Sequence, residues 1–204
     1  MTTPIHHPTD AVLTDYVAGS LRPAFAAVVA AHVEGCAHCR TAMNALEAVG
    51  GALIGELPPS QMAADRLAQV MAALDVTVPT VEAAAVPTAD RIPFGKERWL
   101  APGMSIRKAK LGQGDDLLYL LRLPAGLKTI PHGHQGSEFT TVLKGAYIDG
   151  EGRFAAGDFC DLNPAVEHQP HVDHGGECIC LIASEKPMRQ TTALGRLVHF
   201  LTGV

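Results

Sequence analysis

The segment His32-Val-Glu-Gly-Cys36-Ala-His38-Cys39-Arg40 constrains this chain more than any other. It sets an imidazole and two thiols within eight residues, where one apolar helical run stops and the next begins. A neutral imidazole and thiolates are donors that Zn²⁺ prefers, and Cys-x-x-Cys lets both sulfurs reach one tetrahedral ion from a single turn. A fourth donor must come from elsewhere. Upstream of His32 the candidates are His6 and His7, just ahead of the first predicted helix. A redox reading of the cysteine pair calls for a thioredoxin-like βαβ pattern, and the flanking sequence has none. His38, inside the pair, is expected to be exposed.

The surrounding residues read as about four helices. Pro8-Thr9-Asp10 offers an N-cap to a helix over 11–21, with Val12, Leu13, Tyr16, Val17 and Leu21 on one face. Pro23 suits a first turn, so 23–34 forms a second helix that ends at Gly35 with His32 in its last turn. A third runs from Cys36 through Ala48 and frays at Gly50-Gly51. In a fourth, over 62–74, Leu67, Val70, Met71 and Leu74 fall at i, i+3, i+4 and i+7. Three short helices make a small core, which leaves the fourth apolar stripe for a partner. Residues 1–80 hold three Lys/Arg against seven Asp/Glu, a formal −4. Phosphate contacts need clustered cations, so this half makes a poor nucleic-acid binder and suits a basic protein partner.

Residues 76–93, with three prolines and no periodicity, read as a semi-extended linker. Beyond it come short β-type runs divided by turn signals, over 105–111, 116–123, 138–143, 146–148, 153–155, 158–162 and 177–184, the pattern of a sandwich or barrel. The fold class expected is therefore α+β in two domains: a small helical unit at 1–75, the linker at 76–93 and an all-β unit at 94–204. Five cysteines, an odd number, suit metal and thiol chemistry in a reducing compartment better than a disulfide scaffold. No basic stretch followed by an apolar run opens the chain, and the apolar stretch 24–33 is too short to span a bilayer. A cytoplasmic protein without membrane contact is expected.

A second constellation lies in the β unit. Side chains two apart on a strand share a face, so His132 and His134 can point into one interior, with Glu138 re-entering on the next strand and His168 beside Pro164 further on. Three imidazoles and a carboxylate form a four-ligand site that does not choose among Zn, Fe, Mn and Ni. Cys178 and Cys180 share a strand face and Cys160 lies on another strand; buried inert thiols are the default. His171, His174 and His199 read as surface or rim residues.

At these residues a family resemblance emerges. Gly126, five residues, His132-Gly-His134, three residues, Glu138, six residues and Gly145 resemble the first cupin motif, and the stretch from Gly157 to His168 resembles the second. His6, twenty-five residues, His32, three residues, Cys36, two residues and Cys39 are similar to the zinc-binding anti-sigma domain. That resemblance selects His6 over His7. Both patterns in this order resemble the ChrR-type anti-sigma factors, in which a zinc anti-sigma domain precedes a metal-binding cupin barrel.

The resemblance implies Zn²⁺ on His6, His32, Cys36 and Cys39, and Zn²⁺ or another divalent transition metal on His132, His134, Glu138 and His168. It also implies a non-enzymatic function. The helical domain would sequester a sigma factor of the extracytoplasmic-function type, and the cupin would be needed for its release under oxidative, singlet-oxygen-like stress. The competing expectation is a cupin metalloenzyme, a dioxygenase or isomerase, with an appended zinc module. No Ser/His/Asp triad, phosphate loop or aromatic-interleaved basic patch adds a third.

Overall fold

Four helices come first: α1 (Asp10–Val17), α2 (Pro23–Gly35), α3 (Ala37–Gly55) and α4 (Arg66–Leu74). The structure is a computed structural model that describes residues 3–74, 89–150 and 152–190. Thr9 caps α1 by accepting the Val12 N–H, and Gly19, with φ of 69°, turns the chain after Ala18, so α1 stops short of the expected Leu21. Cys36 caps α3 through its sulfur, which accepts the Cys39 N–H. The fraying expected at Gly50-Gly51 does not occur. Each glycine costs about 1 kcal/mol in a helix but imposes no stop. α3 ends instead at Gly55, three residues before Pro58-Pro59, where proline disfavours helical backbone in the residue ahead of it.

After a 3₁₀ turn (Ala89–Arg91) the chain is all β. Strands β1 (Arg98–Ala101), β2 (Met104–Ala109), β3 (Leu117–Leu123), β5 (Glu138–Lys144), β8 (Phe159–Leu162) and β11 (Cys178–Ser184) form an antiparallel sheet in the order β1-β2-β3-β11-β5-β8. β10 (His171–Val172), β6 (Ala146–Asp149) and β7 (Gly152–Ala155) form a second sheet, and β12 (Arg189–Gln190), β4 (His132–Gly133) and β9 (Glu167–His168) a third. All seven expected strands are present within a residue or two. β1 and the two-residue strands were not expected, the latter being too short to show alternation. Gly145, at φ 73° between β5 and β6, sits so close to Glu177 that an added Cβ would lie 2.1 Å from its carbonyl oxygen. Most of the expected linker, residues 75–88, lies outside the described residues, as does His199.

Two apolar clusters hold this together. In one, Ile106, Tyr119 and Val142 of the large sheet pack with Tyr147, Phe154 and Val172 of the second. In the other, Phe25, Val28 and Val29 of α2 pack with Phe139, Phe159 and Leu181 of the large sheet, the rings of Phe25 and Phe139 meeting edge to face at 4.9 Å. Burying such side chains contributes about 1.5–3 kcal/mol each. α2 is apolar all round because it lies between α1 and α3 on one side and β5 and β11 on the other. The Thr141 hydroxyl donates to the Val28 carbonyl at 2.8 Å, a buried bond that fixes the helix on the sheet. α1, α2 and α3 thus share a core with the β unit, where the sequence had suggested a small core of their own.

Candidate metal centres

The first cluster forms where α2 ends and α3 begins. His32, in the last turn of α2, is fully buried; Cys36 and Cys39, in and beside the first turn of α3, are also buried. The fourth member is His7, not His6. His7 Nδ1 lies 3.3 Å from Cys36 Sγ, 3.5 Å from Cys39 Sγ and 3.4 Å from His32 Nε2, and His32 Nε2 lies 3.3 Å from Cys39 Sγ. Zn–N bonds of about 2.0–2.1 Å and Zn–S bonds of about 2.3 Å make tetrahedral edges of about 3.3–3.8 Å, so these four atoms are spaced as one zinc shell requires. Burial holds the His32 and His7 imidazoles below their ordinary value and pushes the Cys39 thiol up to about 12, with Cys36 adding to the rise. Two neutral imidazoles and a protonated buried thiol crowded this closely have more protons and lone pairs than they can pair; a cation in place of the thiol protons satisfies them all.

His6 is set aside by hydrogen bonds that no local pattern reveals. The Asp158 carboxylate accepts the N–H groups of Ile5 and His6 at 2.7 and 3.0 Å, and Phe159 N–H donates to the His6 carbonyl at 3.0 Å. This pins residues 5–6 to the start of β8. The His6 ring then lies over Phe154, with centroids 4.3 Å apart, and donates from Nε2 to the Arg153 carbonyl, while His7 turns toward the cysteines. His38 stacks obliquely on His7 at 4.8 Å and is exposed, as expected. The β unit also orients the site: His32 Nδ1 lies 2.7 Å from the Gly157 carbonyl, which leaves Nε2 as the donor atom.

The second cluster gathers His132 on β4, His134 just after it and His168 on β9. His132 pairs directly with His168 across the small sheet. Both His132 Nε2 and His134 Nε2 lie 3.0 Å from His168 Nε2. His132 donates from Nδ1 to the Ile130 carbonyl at 2.9 Å, and His168 Nδ1 lies 2.5 Å from Asp149, so their Nε2 lone pairs face one another. A divalent cation relieves that arrangement. Burial lowers His132 and brings His134 down to about 4, with His168 and His132 reinforcing the latter, so these rings stay neutral and able to ligate. Burial pushes Asp149 upward, but its hydrogen bond to His168 and the charge there bring it below the ordinary carboxylate value.

Glu138, expected as the fourth ligand, is not brought within common reach of the three imidazoles. Its Oε2 lies 3.5 Å from His134 Nδ1, on the far side of that ring from the cluster, and accepts a hydrogen bond from Tyr119 at 3.4 Å. Burial pushes Glu138 up to about 7. It lies behind His134 without a hydrogen bond to that ring, whose Nδ1 is a buried atom left without a partner among the described residues, whereas Asp149 holds His168 by its Nδ1. Asp149 escaped the sequence reading because it stands at a hairpin tip, Ile148-Asp-Gly150, where aspartate is ordinary turn chemistry. Cys178 and Cys180 are buried thiols with sulfurs 3.6 Å apart, and Cys160 is buried as well.

Helices bearing a buried His/Cys cluster, followed by a cupin-like β unit with a three-histidine cluster, define a two-part α+β protein. Residues 90–186 match the family model described as the ChrR Cupin-like domain. The chain is 41% identical over 204 residues to the anti-sigma-E factor ChrR of Cereibacter sphaeroides, covering 95% of this chain and 96% of that protein. It is similar to a chain in the crystal structure of Rhodobacter sphaeroides SigE in complex with the anti-sigma ChrR, with a TM-score of 0.76 and 41% identity over 89% of this chain and 100% of that chain. The chain belongs to the ChrR family of anti-sigma factors.

Proposed function

We propose that this chain is itself an anti-sigma factor, not an enzyme, and sequesters a sigma factor of the extracytoplasmic-function type through its helical unit. The observation that carries the reading is the bare apolar face of α4. Leu67, Val70, Met71 and Leu74 share that face, and even Val70, the least exposed of them, is 51% exposed. Val49, Leu53 and Ile54 on the last turns of α3 are open in the same way. A contiguous apolar surface of this kind marks a protein contact, and the −4 charge over residues 1–80 suits a basic partner. The likeness to a protein named for SigE binding supports the same reading.

In this reading residues 1–75 are the binding unit, 76–93 the linker and 94–204 a cupin whose three sheets close into a barrel. His7, His32, Cys36 and Cys39 would hold a structural Zn²⁺ that clamps the start of the chain to the α2–α3 corner. His132, His134 and His168 would hold Zn²⁺ or another divalent transition metal, with Asp149 orienting the His168 ring. The bound metal would supply cross-linking there, tying β4 to β9. The cupin would serve release of the sigma factor under oxidative, singlet-oxygen-like stress, in the cytoplasm. Among the described residues no helix is long and apolar enough to cross a membrane.

The test is co-expression with the cognate sigma factor and a sigma-dependent reporter. Substituting Leu67, Val70 and Leu74 together with Asp is expected to abolish co-purification and repression while helicity is retained. Full repression by that variant would overturn the reading.

A further inference from the structure

α2 starts on a cation. Arg22 is its N-cap residue, its side chain makes no capping hydrogen bond, and Pro23 follows it in the first turn. A helix N-terminus favours Ser, Thr, Asp or Asn and disfavours positive charge, so the helix itself gives no reason for an arginine here. The reason lies in the β unit. One Nη donates to the Asp116 carboxylate and the other to the Glu185 carboxylate, both at 2.5 Å, from positions 94 and 163 residues away in the chain. The guanidinium also lies 4.7 Å over the Phe25 ring, which in turn meets Phe139 of β5. Lysine does not fill such a place, because a planar fork serves two carboxylates in fixed directions and a single ammonium does not.

Glu185 is the branch point. Its Oε1 takes Arg22, its Oε2 accepts the Ser137 N–H at 3.3 Å, and its own N–H donates to the Ser137 carbonyl at 3.2 Å. Gly136 lies so close that an added Cβ would fall 2.2 Å from Glu185 Oε2 and 2.7 Å from its Cβ. Gly136 and Ser137 belong to the loop between His134 of the second cluster and Glu138 at the start of β5. We propose that Arg22 and Glu185 form a coupling latch, in which a shift of this loop moves Glu185 and opens one arm of the Arg22 fork at the start of α2. The inference rests on the reading that the cupin serves release of the sigma factor, and it names the positioning residues through which it does so. The fork has two discrete arrangements, both carboxylates engaged or Asp116 alone, as a transmitted change requires. Asp116, with its side chain 9% exposed against 35% for Glu185, is the fixed arm. Ala26 reports the state of the latch, since its N–H donates to the Arg22 carbonyl at 2.9 Å.

The test is amide hydrogen exchange of the full-length chain, read at Ala26 by nuclear magnetic resonance, beside the sigma-dependent reporter. Gly136→Ala displaces Glu185 and leaves the imidazoles in place; it is expected to quicken exchange at Ala26 by about two- to fivefold, the reach of a half-exposed ion pair. Arg22→Gln is expected to quicken it as much, and Gly136→Ala added to Arg22→Gln to change nothing further, the non-additivity of two residues on one path. In cells Arg22→Gln should still repress in the dark and should lose induction by singlet oxygen while holding as much metal as the wild type. Additive effects of the two substitutions, unchanged exchange at Ala26 in the Gly136→Ala protein, or full induction by Arg22→Gln overturns the latch. Exchange needs no sigma factor, so failure of the latch is read apart from failure of repression.

Discussion

His32 Nδ1 donates to the carbonyl oxygen of Gly157 over 2.7 Å, joining the helical His/Cys cluster to the turn that leads into β8. Gly157 has φ of 98°, and a Cβ there would lie 2.9 Å from Pro4 Cγ. Gly157→Ala therefore strains the turn and pushes away the segment that carries His7. A loss of about 1–3 kcal/mol is expected, with a matching fall in zinc retention. Thermal melts and metal analysis of the purified variant would check it; wild-type values for both would show that the contact is incidental.

The choice between the two upstream histidines separates cleanly. His7→Ala should lose the zinc of the helical unit and much of the helicity, since structural zinc in small domains contributes on the order of 10 kcal/mol. His6→Ala should keep both, at most losing the contact to Phe154. Metal content measured beside circular dichroism decides between them, and the reverse pattern would restore His6 as the ligand.

Zinc uptake at this site should release protons. The Cys39 thiol, pushed up to about 12, is protonated at neutral pH, and both sulfurs must ionise to bind, while burial keeps His32 and His7 already neutral. The sign follows: affinity falls as pH falls, by at least about tenfold per pH unit for the displaced Cys39 proton. Competition with a chelator between pH 6.5 and 8 measures the slope. A pH-independent affinity would mean that the thiols do not coordinate.

Asp158 is 2% exposed and accepts three backbone N–H groups, from Ile5, His6 and Ala155. Asp158→Ala leaves those donors without their acceptor, at about 3 kcal/mol or more. Hydrogen exchange is expected to quicken at residues 5–7 before it does in β5 or β11. Uniform protection would remove Asp158 as the anchor of the chain start.

Replacing His132 and His134 together with Ala removes two of the three converging imidazoles. Repression in the dark should persist, because α4 is untouched, and induction by singlet oxygen should disappear. Normal induction in the double variant would detach the second cluster from signalling.

Much of this protein is local. The cysteine spacing, the caps and the i, i+3, i+4, i+7 face of α4 are properties of neighbouring residues, so the helices, seven of the eight strands of four residues or more, three members of the His/Cys cluster and all three imidazoles of the second cluster could be read from the chain. The fourth member of the first cluster, and the exclusion of Glu138 from the second, could not. His6 and His7 are chemically equal in sequence, and what turns His7 toward the cysteines is a carboxylate and an N–H group about 150 residues away, at Asp158 and Phe159. Glu138 has the right spacing on β5, yet the packing of Tyr119 and His134 holds it behind the ring and outside the cluster. The apolar circumference of α2 was visible, but what it faces was decided by β5 and β11, because burial is a relation between distant segments that no window of sequence contains.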